Sequence, residues 1–339
     1  MKTRREFIKK TSALTAFGLF ADWASANPVN DKFGEVLPQR QLIRNGEKTT
    51  AFGMGGYHLG ITLNPKEAEK MIERAMELGV RFYDNARGYH AGRSEEYMGK
   101  FLTPKYREDI FLMTKSPGST AKEAQKHLDE SLKALNTDYL DLWQMHALNR
   151  PEDVDNRLNA GVLDVFLEAR EKGKTRYIGF TGHQNPKTHL HFLEILKARG
   201  LEMETVQMPM NVCDSSFESF QNKLLPVLLE RGYGAIAMKT MAGGSMMGKR
   251  IDTTPAHIKT EDIPDMVGKE GIALSKLHQY VYGLPVSVLC SGCANLQELE
   301  DNVKTLRELK KLSETEMKDL EALAKPYAGM IVENYKRVF

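Results

Sequence analysis

The stretch Phe82-Tyr-Asp-Asn-Ala-Arg-Gly-Tyr89, with Arg93-Ser-Glu-Glu96 behind it, joins a strand to a loop in a way that recurs along the chain. A short apolar strand begins at Val80 and ends at Asp84, so a carboxylate stands at its C-terminal mouth and Tyr89 follows five residues on. In a parallel barrel, that mouth carries the chemistry. The next two strand-like runs end in the same manner. Ile110-Phe-Leu-Met-Thr-Lys115 delivers a lysine, and Tyr139-Leu-Asp-Leu-Trp-Gln-Met-His146 delivers a histidine. Successive strand ends thus present Asp84, Tyr89, Lys115 and His146.

Outward from this stretch the chain keeps alternating. Arg40 to Thr50 reads as a hairpin with Asn45-Gly46 at its turn. Ala51-Phe-Gly-Met-Gly-Gly56 is a first short strand. From Asn64, strand and helix patterns alternate as parallel βα units do. Pro65 suits a first helical turn after an Asn cap, and Ala68, Met71, Ile72, Ala75 and Met76 form the apolar stripe. Helices are predicted near 94–102, 120–135, 163–171, 186–199, 217–231, 271–282, 296–309 and 313–323, with an insertion-like loop between His146 and Gly161. Counted from Phe52, the pattern gives eight strands, an α/β chain of the (β/α)8 TIM-barrel class. Residues 243–270, rich in Gly, Met, Thr and Pro, form a long loop expected to cover cofactor or substrate.

The order and spacing of Asp84, Tyr89, Lys115 and His146 resemble the catalytic tetrad of the aldo-keto reductase family. That resemblance extends over nearly the whole chain after residue 26. It implies a barrel plugged at its bottom by the N-terminal hairpin, a nicotinamide cofactor (NADP or NAD), and a small-molecule carbonyl or alcohol substrate of aldehyde, ketone or sugar type. Tyr89 is then the acid/base, although a free phenol near pKa 10 needs help at neutral pH. Lys115 is expected to favour its ionised form, Asp84 to hold Lys115, and His146 to orient the substrate oxygen. Each residue has a plainer reading, as a structural ion pair, a turn tyrosine or a packed histidine. An alternative for the whole chain is a nucleotide-binding regulatory barrel with little turnover.

The resemblance places the cofactor along the later strand ends. Gln207 falls near the nicotinamide carboxamide, and the usual Ser-Asn pair is replaced by Thr181-Gly182-His183, so only the Thr181 hydroxyl carries over directly. His183 is either a replacement for the amide or a solvent-facing loop residue. Met238 stands where many members have a stacking aromatic. Lys239, Gly243 and Gly244 fall on a phosphate loop, with an exposed lysine as the plainer reading of Lys239. Gly292 lies on the turn before the last nucleotide-binding helix, and Asp301 and Asn302 at adenine-contacting positions. Asn295 and Glu298 occupy the places of arginines that bind a 2′-phosphate, and Glu298 would repel one. Cys290 and Cys293 form a C-x-x-C read as a disulfide or as two thiols, and no metal cluster is expected. The tail from Tyr327 to Phe339 either shapes the substrate pocket or packs on the surface.

The 339 residues carry 41% hydrophobic and 27% charged side chains, the composition of a globular protein with a substantial core. Residues 1–26 hold five basic and two acidic groups, so the formal charge of +2 leaves 2 − 3 = −1 on the remainder. That balance gives no case for nucleic acid as a partner. Thr3-Arg-Arg-Glu-Phe-Ile-Lys9, the apolar Ala13 to Phe20 and Ala24-Ser-Ala26 resemble a twin-arginine signal peptide. The domain reading is therefore signal peptide 1–26, linker 27–39, and barrel with C-terminal tail 40–339. A folded, monomeric enzyme carried by the twin-arginine translocase to the bacterial periplasm or beyond, with no membrane span, is the expectation.

Overall fold

The computed structural model describes residues 29–339 except 45, 251–253, 255, 257, 269 and 270. The proposed signal peptide lies outside the described residues. Two antiparallel hairpins precede the barrel, pairing β1 (Val29–Asp31) with β2 (Gly34–Val36) and β3 (Gln39–Gln41) with β4 (Lys48–Thr50). The first falls within the stretch read as a linker. Arg81 fastens it, gripping Asp31 through Nε at 2.7 Å and Nη2 at 3.0 Å, a two-pronged geometry that favours arginine. The second turns through Gly46 N donating to Ile43 O at 3.0 Å; its Asn45 lies outside the described residues.

Eight strands then close the barrel in sequence order: β5 (Phe52–Gly55), β6 (Phe82–Asp84), β7 (Phe111–Ser116), β8 (Leu140–Met145), β9 (Thr175–Thr181), β10 (Thr205–Pro209), β11 (Gly234–Met238) and β12 (Val288–Gly292). All neighbours are parallel, and β12 returns to β5. The expected (β/α)8 TIM barrel is therefore present.

Side chains alternate faces along a strand, so residues two apart share the barrel interior. At the bottom, Phe82, Phe111, Leu142, Ile236 and Val288 form one buried cluster together with Leu42 and Ile43 of the β3–β4 hairpin. The hairpin thus caps the barrel floor. Phe82 and Phe111 stack at 5.3 Å, and full burial of each such ring contributes roughly 1.5–3 kcal/mol. Gly53 makes room for this layer, since a Cβ there would meet Phe82 Cδ1 at 2.5 Å. Two residues further along the same strand faces come Asp84 after Phe82 and Gln144 after Leu142, and Lys115 follows Met113. Polar groups reach the mouth because the apolar half of each inward face is used to fill the floor.

The helices begin where local chemistry dictates. Asn64 caps Pro65–Glu77 by accepting from Lys66 N at 3.1 Å, and Thr120 caps Ala121–Ala134 by accepting from Glu123 N at 3.2 Å; such caps stabilise a helix by about 1 kcal/mol. Two predicted segments differ. The loop between His146 and Gly161 contains a helix, Pro151–Asn159, with Pro151 in its first turn. The helix predicted at 217–231 is split into Phe220–Lys223 and Leu225–Arg231, where Pro226 supplies no N–H and restricts the residue before it. Among the described residues no helix is long and apolar enough to cross a membrane.

Candidate active site

Lys115 is the hub of the barrel mouth. It is 1% exposed, is ion-paired to Asp84 Oδ1, and donates to Asn85 O at 2.7 Å and to the Tyr89 hydroxyl at 3.4 Å. Burial works against its charge, but Asp84 and Tyr89 outweigh burial and hold its pKa above the ordinary value. The amine is an ammonium throughout the working range. For Tyr89 the balance goes the other way, because burial raises the phenol and Lys115 only partly offsets it. The sequence suggests a phenol tipped toward ionisation; the structure gives a protonated phenol beside a cation.

The segment behind Tyr89 is strained and stapled. His90, Ala91 and Gly92 have φ of 50°, 57° and 96°, and left-handed backbone costs a non-glycine residue about 1–2 kcal/mol. Several bonds hold the turn in place. Ser94 Oγ donates to Gly56 O at 2.6 Å, Arg93 Nε donates to Gly60 O at 2.8 Å, and Thr114 Oγ1 donates to the fully buried Glu95 at 2.6 Å. Tyr57 packs edge-on to Tyr89 at 5.3 Å and tilts against His90 at 4.6 Å. Tyr57 and His90 carried no signal in the sequence beyond their closeness to Gly56 and Tyr89.

His146 follows β8, with its N–H bonded to Ser116 O and its carbonyl accepting from Arg157 at 2.9 Å in each case. Its ring stands 5.9 Å from Tyr89 and 6.4 Å from His183. Burial first, then the charge of Lys115, lowers its pKa well below the usual imidazole value. The ring is therefore neutral, with one donor and one acceptor. All four tetrad candidates come together, as their strand positions predict.

The proposed cofactor residues are also at this end, with different fates. Gln207 Nε2 donates to Asp84 Oδ2 at 2.9 Å, and its buried Oε1 has no hydrogen-bond partner. Thr181 faces the Met238 sulfur at 3.9 Å. Lys239 is held at φ 55° and its ammonium lies 5.7 Å from the Tyr335 ring centroid. Gly243 and Gly244 take φ of 71° and 106°, conformations that glycine adopts without a side-chain penalty. Gly292 must also be glycine, because a Cβ there would run into the His58 ring.

Around the last turn, Asn302 directs its amide inward, to Cys293 Sγ at 3.3 Å and Ser291 Oγ at 3.5 Å. Asp301 is exposed and accepts from Gln297 at 3.0 Å. Glu298 folds back on the turn, accepting from Ala294 N at 2.8 Å and from Asn295 at 3.3 Å. Cys290 and Cys293 are buried free thiols. Burial and then Asp84 hold the Cys290 thiol protonated. Among the described residues no group of His, Cys, Asp and Glu is arranged to hold a metal.

The C-terminal tail reaches the same mouth. Lys336, fully buried, pairs with Asp214 at 2.6 Å and Glu333 at 2.8 Å, and Tyr335 stands 6.5 Å from His183. Tyr335 thus brings the tail, read in the sequence as pocket-shaping or surface-packed, to the barrel end that holds His183.

The chain is similar in sequence to the uncharacterized oxidoreductase YrpG of Bacillus subtilis, 26% identical over 77% of this chain and 80% of that protein. It is 25% identical to L-galactose dehydrogenase of Arabidopsis thaliana over 86% of this chain and 95% of the relative. An aldo-keto reductase from Klebsiella pneumoniae, solved with NADPH, shares the fold with a TM-score of 0.66 at 17% identity, covering 85% of this chain and 96% of that one. The sequence model of the Aldo/keto reductase family matches residues 51–328, and with the barrel and its four strand-end groups in place, the chain belongs to that family.

Proposed function

We propose that this protein is an exported NAD(P)(H)-dependent oxidoreductase that interconverts a carbonyl compound and its alcohol, with Tyr89 as the acid/base. The observation that carries the reading is the Lys115 ammonium, buried between the Asp84 carboxylate and the Tyr89 hydroxyl. The relatives named above support it, one being a sugar dehydrogenase and another binding NADPH.

The residues present fit a nicotinamide nucleotide. Buried Gln207 Oε1 is an acceptor awaiting a donor such as a carboxamide, and the Thr181 hydroxyl and Met238 thioether lie beside it along the wall. The turns at Gly243-Gly244 and Gly292, with Lys239, suit the phosphates, and Asp301 and Asn302 flank the adenine end. When bound, the nicotinamide supplies or accepts the hydride.

The chain's own groups manage the proton. Tyr89 donates its phenolic proton to the carbonyl oxygen as negative charge builds there, and Lys115 stabilises the phenolate that remains. Asp84 keeps Lys115 charged and in register. His146, being neutral, donates to the same oxygen and orients it toward Tyr89. A protonated Tyr89 suits the reductive direction.

Export is part of the proposal. Arg4-Arg5 and Ala24-Ser25-Ala26 support passage through the twin-arginine translocase, which carries folded proteins and so allows nucleotide to be loaded before transport. Cell fractionation of the wild type and an Arg4→Lys/Arg5→Lys variant tests this, the variant being retained inside. For the chemistry, the test is titration of the full chain with NADH and NADPH by fluorescence quenching, followed by carbonyl-dependent nucleotide oxidation. Binding with turnover that Tyr89→Phe abolishes is the expected result; absence of binding to either nucleotide overturns the reading.

A further inference from the structure

One polar side chain at the mouth has no part in the scheme above. His183 follows β9 on a loop held from both sides. Leu148 N donates to Thr181 O at 2.8 Å, Arg337 N donates to Gln184 O at 2.9 Å, and Asn185 Nδ2 donates to Arg337 O at 2.9 Å. The imidazole is therefore presented by fixed backbone, which lowers the ordering cost of any contact it makes.

Its ring completes a row along one wall of the pocket. Tyr89 to His146 is 5.9 Å, His146 to His183 is 6.4 Å, and His183 to Tyr335 is 6.5 Å between centroids. Tyr89, His146 and His183 are each half-buried, so each ring keeps some access to solvent. Among the described residues neither imidazole makes a side-chain hydrogen bond. The two rings are too far apart to bond one another directly, and each keeps its donor and acceptor for whatever lies between and beside them.

Both rings are neutral. Burial, then Lys239 and Lys115, lowers His183 to about 3, and His146 is lowered for similar reasons. A neutral imidazole donates once and accepts once, as a hydroxyl does. Such a ring matches an alcohol better than a carboxylate. The nicotinamide does not need His183. Position 182 is glycine, a side chain there would strike the Leu148 carbonyl, and the open amide acceptor is Gln207 Oε1 on the next strand.

We infer that His183 is a specificity-determining residue that hydrogen-bonds a second oxygen, on the carbon beside the reacting carbonyl. The substrate class is then a hydroxylated carbonyl compound, an α-hydroxy aldehyde or ketone of the sugar type. This rests on the oxidoreductase reading: His146 and Tyr89 take the reacting oxygen, and the neighbouring oxygen falls to the next ring in the row. A site built to bond a hydroxyl discriminates against the analogue lacking it.

The test compares glyceraldehyde with propanal, which has the same number of carbons and no hydroxyl groups. The full chain, His183→Phe and His183→Asn are assayed for kcat/KM on both aldehydes, with the nucleotide Kd measured in parallel. In His183→Phe, kcat/KM for glyceraldehyde falls by about tenfold more than that for propanal, the loss of one hydrogen bond to a buried partner. His183→Asn, which again donates and accepts, recovers part of the ratio. Equal losses on the two aldehydes, a loss that tracks weakened nucleotide binding, or an unchanged ratio in His183→Phe overturns the inference while leaving the oxidoreductase reading intact. If the wild type binds nucleotide but turns over propanal and not glyceraldehyde, or neither aldehyde, the inference falls, whereas the oxidoreductase reading falls only with loss of nucleotide binding.

Discussion

Gln207 reaches across the barrel mouth to Asp84, its Nε2 donating to Oδ2 at 2.9 Å while Oε1 stays buried without a partner. The carboxylate that holds Lys115 is thereby tied to the side chain proposed to meet the nicotinamide. One amide links the Asp84–Lys115 pair to the proposed cofactor position.

Gln207→Leu removes both ends of that link. A hydrogen bond to a charged group is worth about 1.5–3 kcal/mol, so the variant is expected to be destabilised by that order and to bind nucleotide more weakly. Urea unfolding gives the first quantity and fluorescence titration the second. Loss of stability with unchanged nucleotide affinity would confine Gln207 to supporting Asp84.

The Asp84–Lys115 pair predicts non-additive mutants. Lys115→Met leaves Asp84 buried with neutral donors alone, and breaking a buried pair from one side costs roughly 3–5 kcal/mol. Adding Asp84→Asn to Lys115→Met is expected to recover much of that stability and none of the activity. Denaturation of the two single variants and the double variant closes the cycle; additive losses would mean the pair is not coupled as the geometry implies.

Reduction should tolerate acid better than an ordinary imidazole permits. His146 is neutral down to a pKa well below the usual value, so no inflection is expected near pH 6.5. On the alkaline side, the Tyr89 phenol is lost as the pH rises through a pKa held above its usual 10.0, and the rate falls only there. A profile of kcat/KM against pH checks both limbs, and a loss of rate centred near neutrality would reassign the acid.

Stability follows the opposite end of the scale. His189 and His278 are buried with pKa lowered to about 4 from 6.5. The unfolded chain binds their protons first, so their contribution is complete above pH 6.5 and declines as the pH falls toward 4, by about 1.4 kcal/mol per unit for each histidine. Thermal melts from pH 7 to 4 measure the slope, and His278→Gln should flatten it.

We predict that Glu298 disfavours NADPH. Its carboxylate caps the Ala294 turn, the place that the family resemblance gives to a 2′-phosphate, and like charges repel. The wild type is expected to favour NADH, and Glu298→Arg to shift the ratio of NADH to NADPH affinity toward NADPH by about tenfold or more, the scale of one charge-assisted contact. A wild type that prefers NADPH would place the phosphate elsewhere.

Much of this protein is legible along the chain because it rests on local rules. Strand alternation places Asp84, Lys115 and His146 two or four residues above apolar floor positions, and Asn64 and Thr120 start helices by bonding to the next turn. Glu298 could be recognised for the same reason, as a charge in a turn whose backbone role is set nearby. Other features arise only when distant segments meet. Gln207 and Asp84 are 123 residues apart, and Lys336 and Asp214 are 122 apart. Neither pair has a spacing that a periodicity can reveal. Barrel closure brings Gln207 to Asp84, and a tail threaded into its own buried charge network places Tyr335 against His183. The sequence by itself determined the barrel and the presence of the four catalytic candidates at its mouth; the tertiary structure decided their partners, since burial and barrel closure fix which polar groups must satisfy one another.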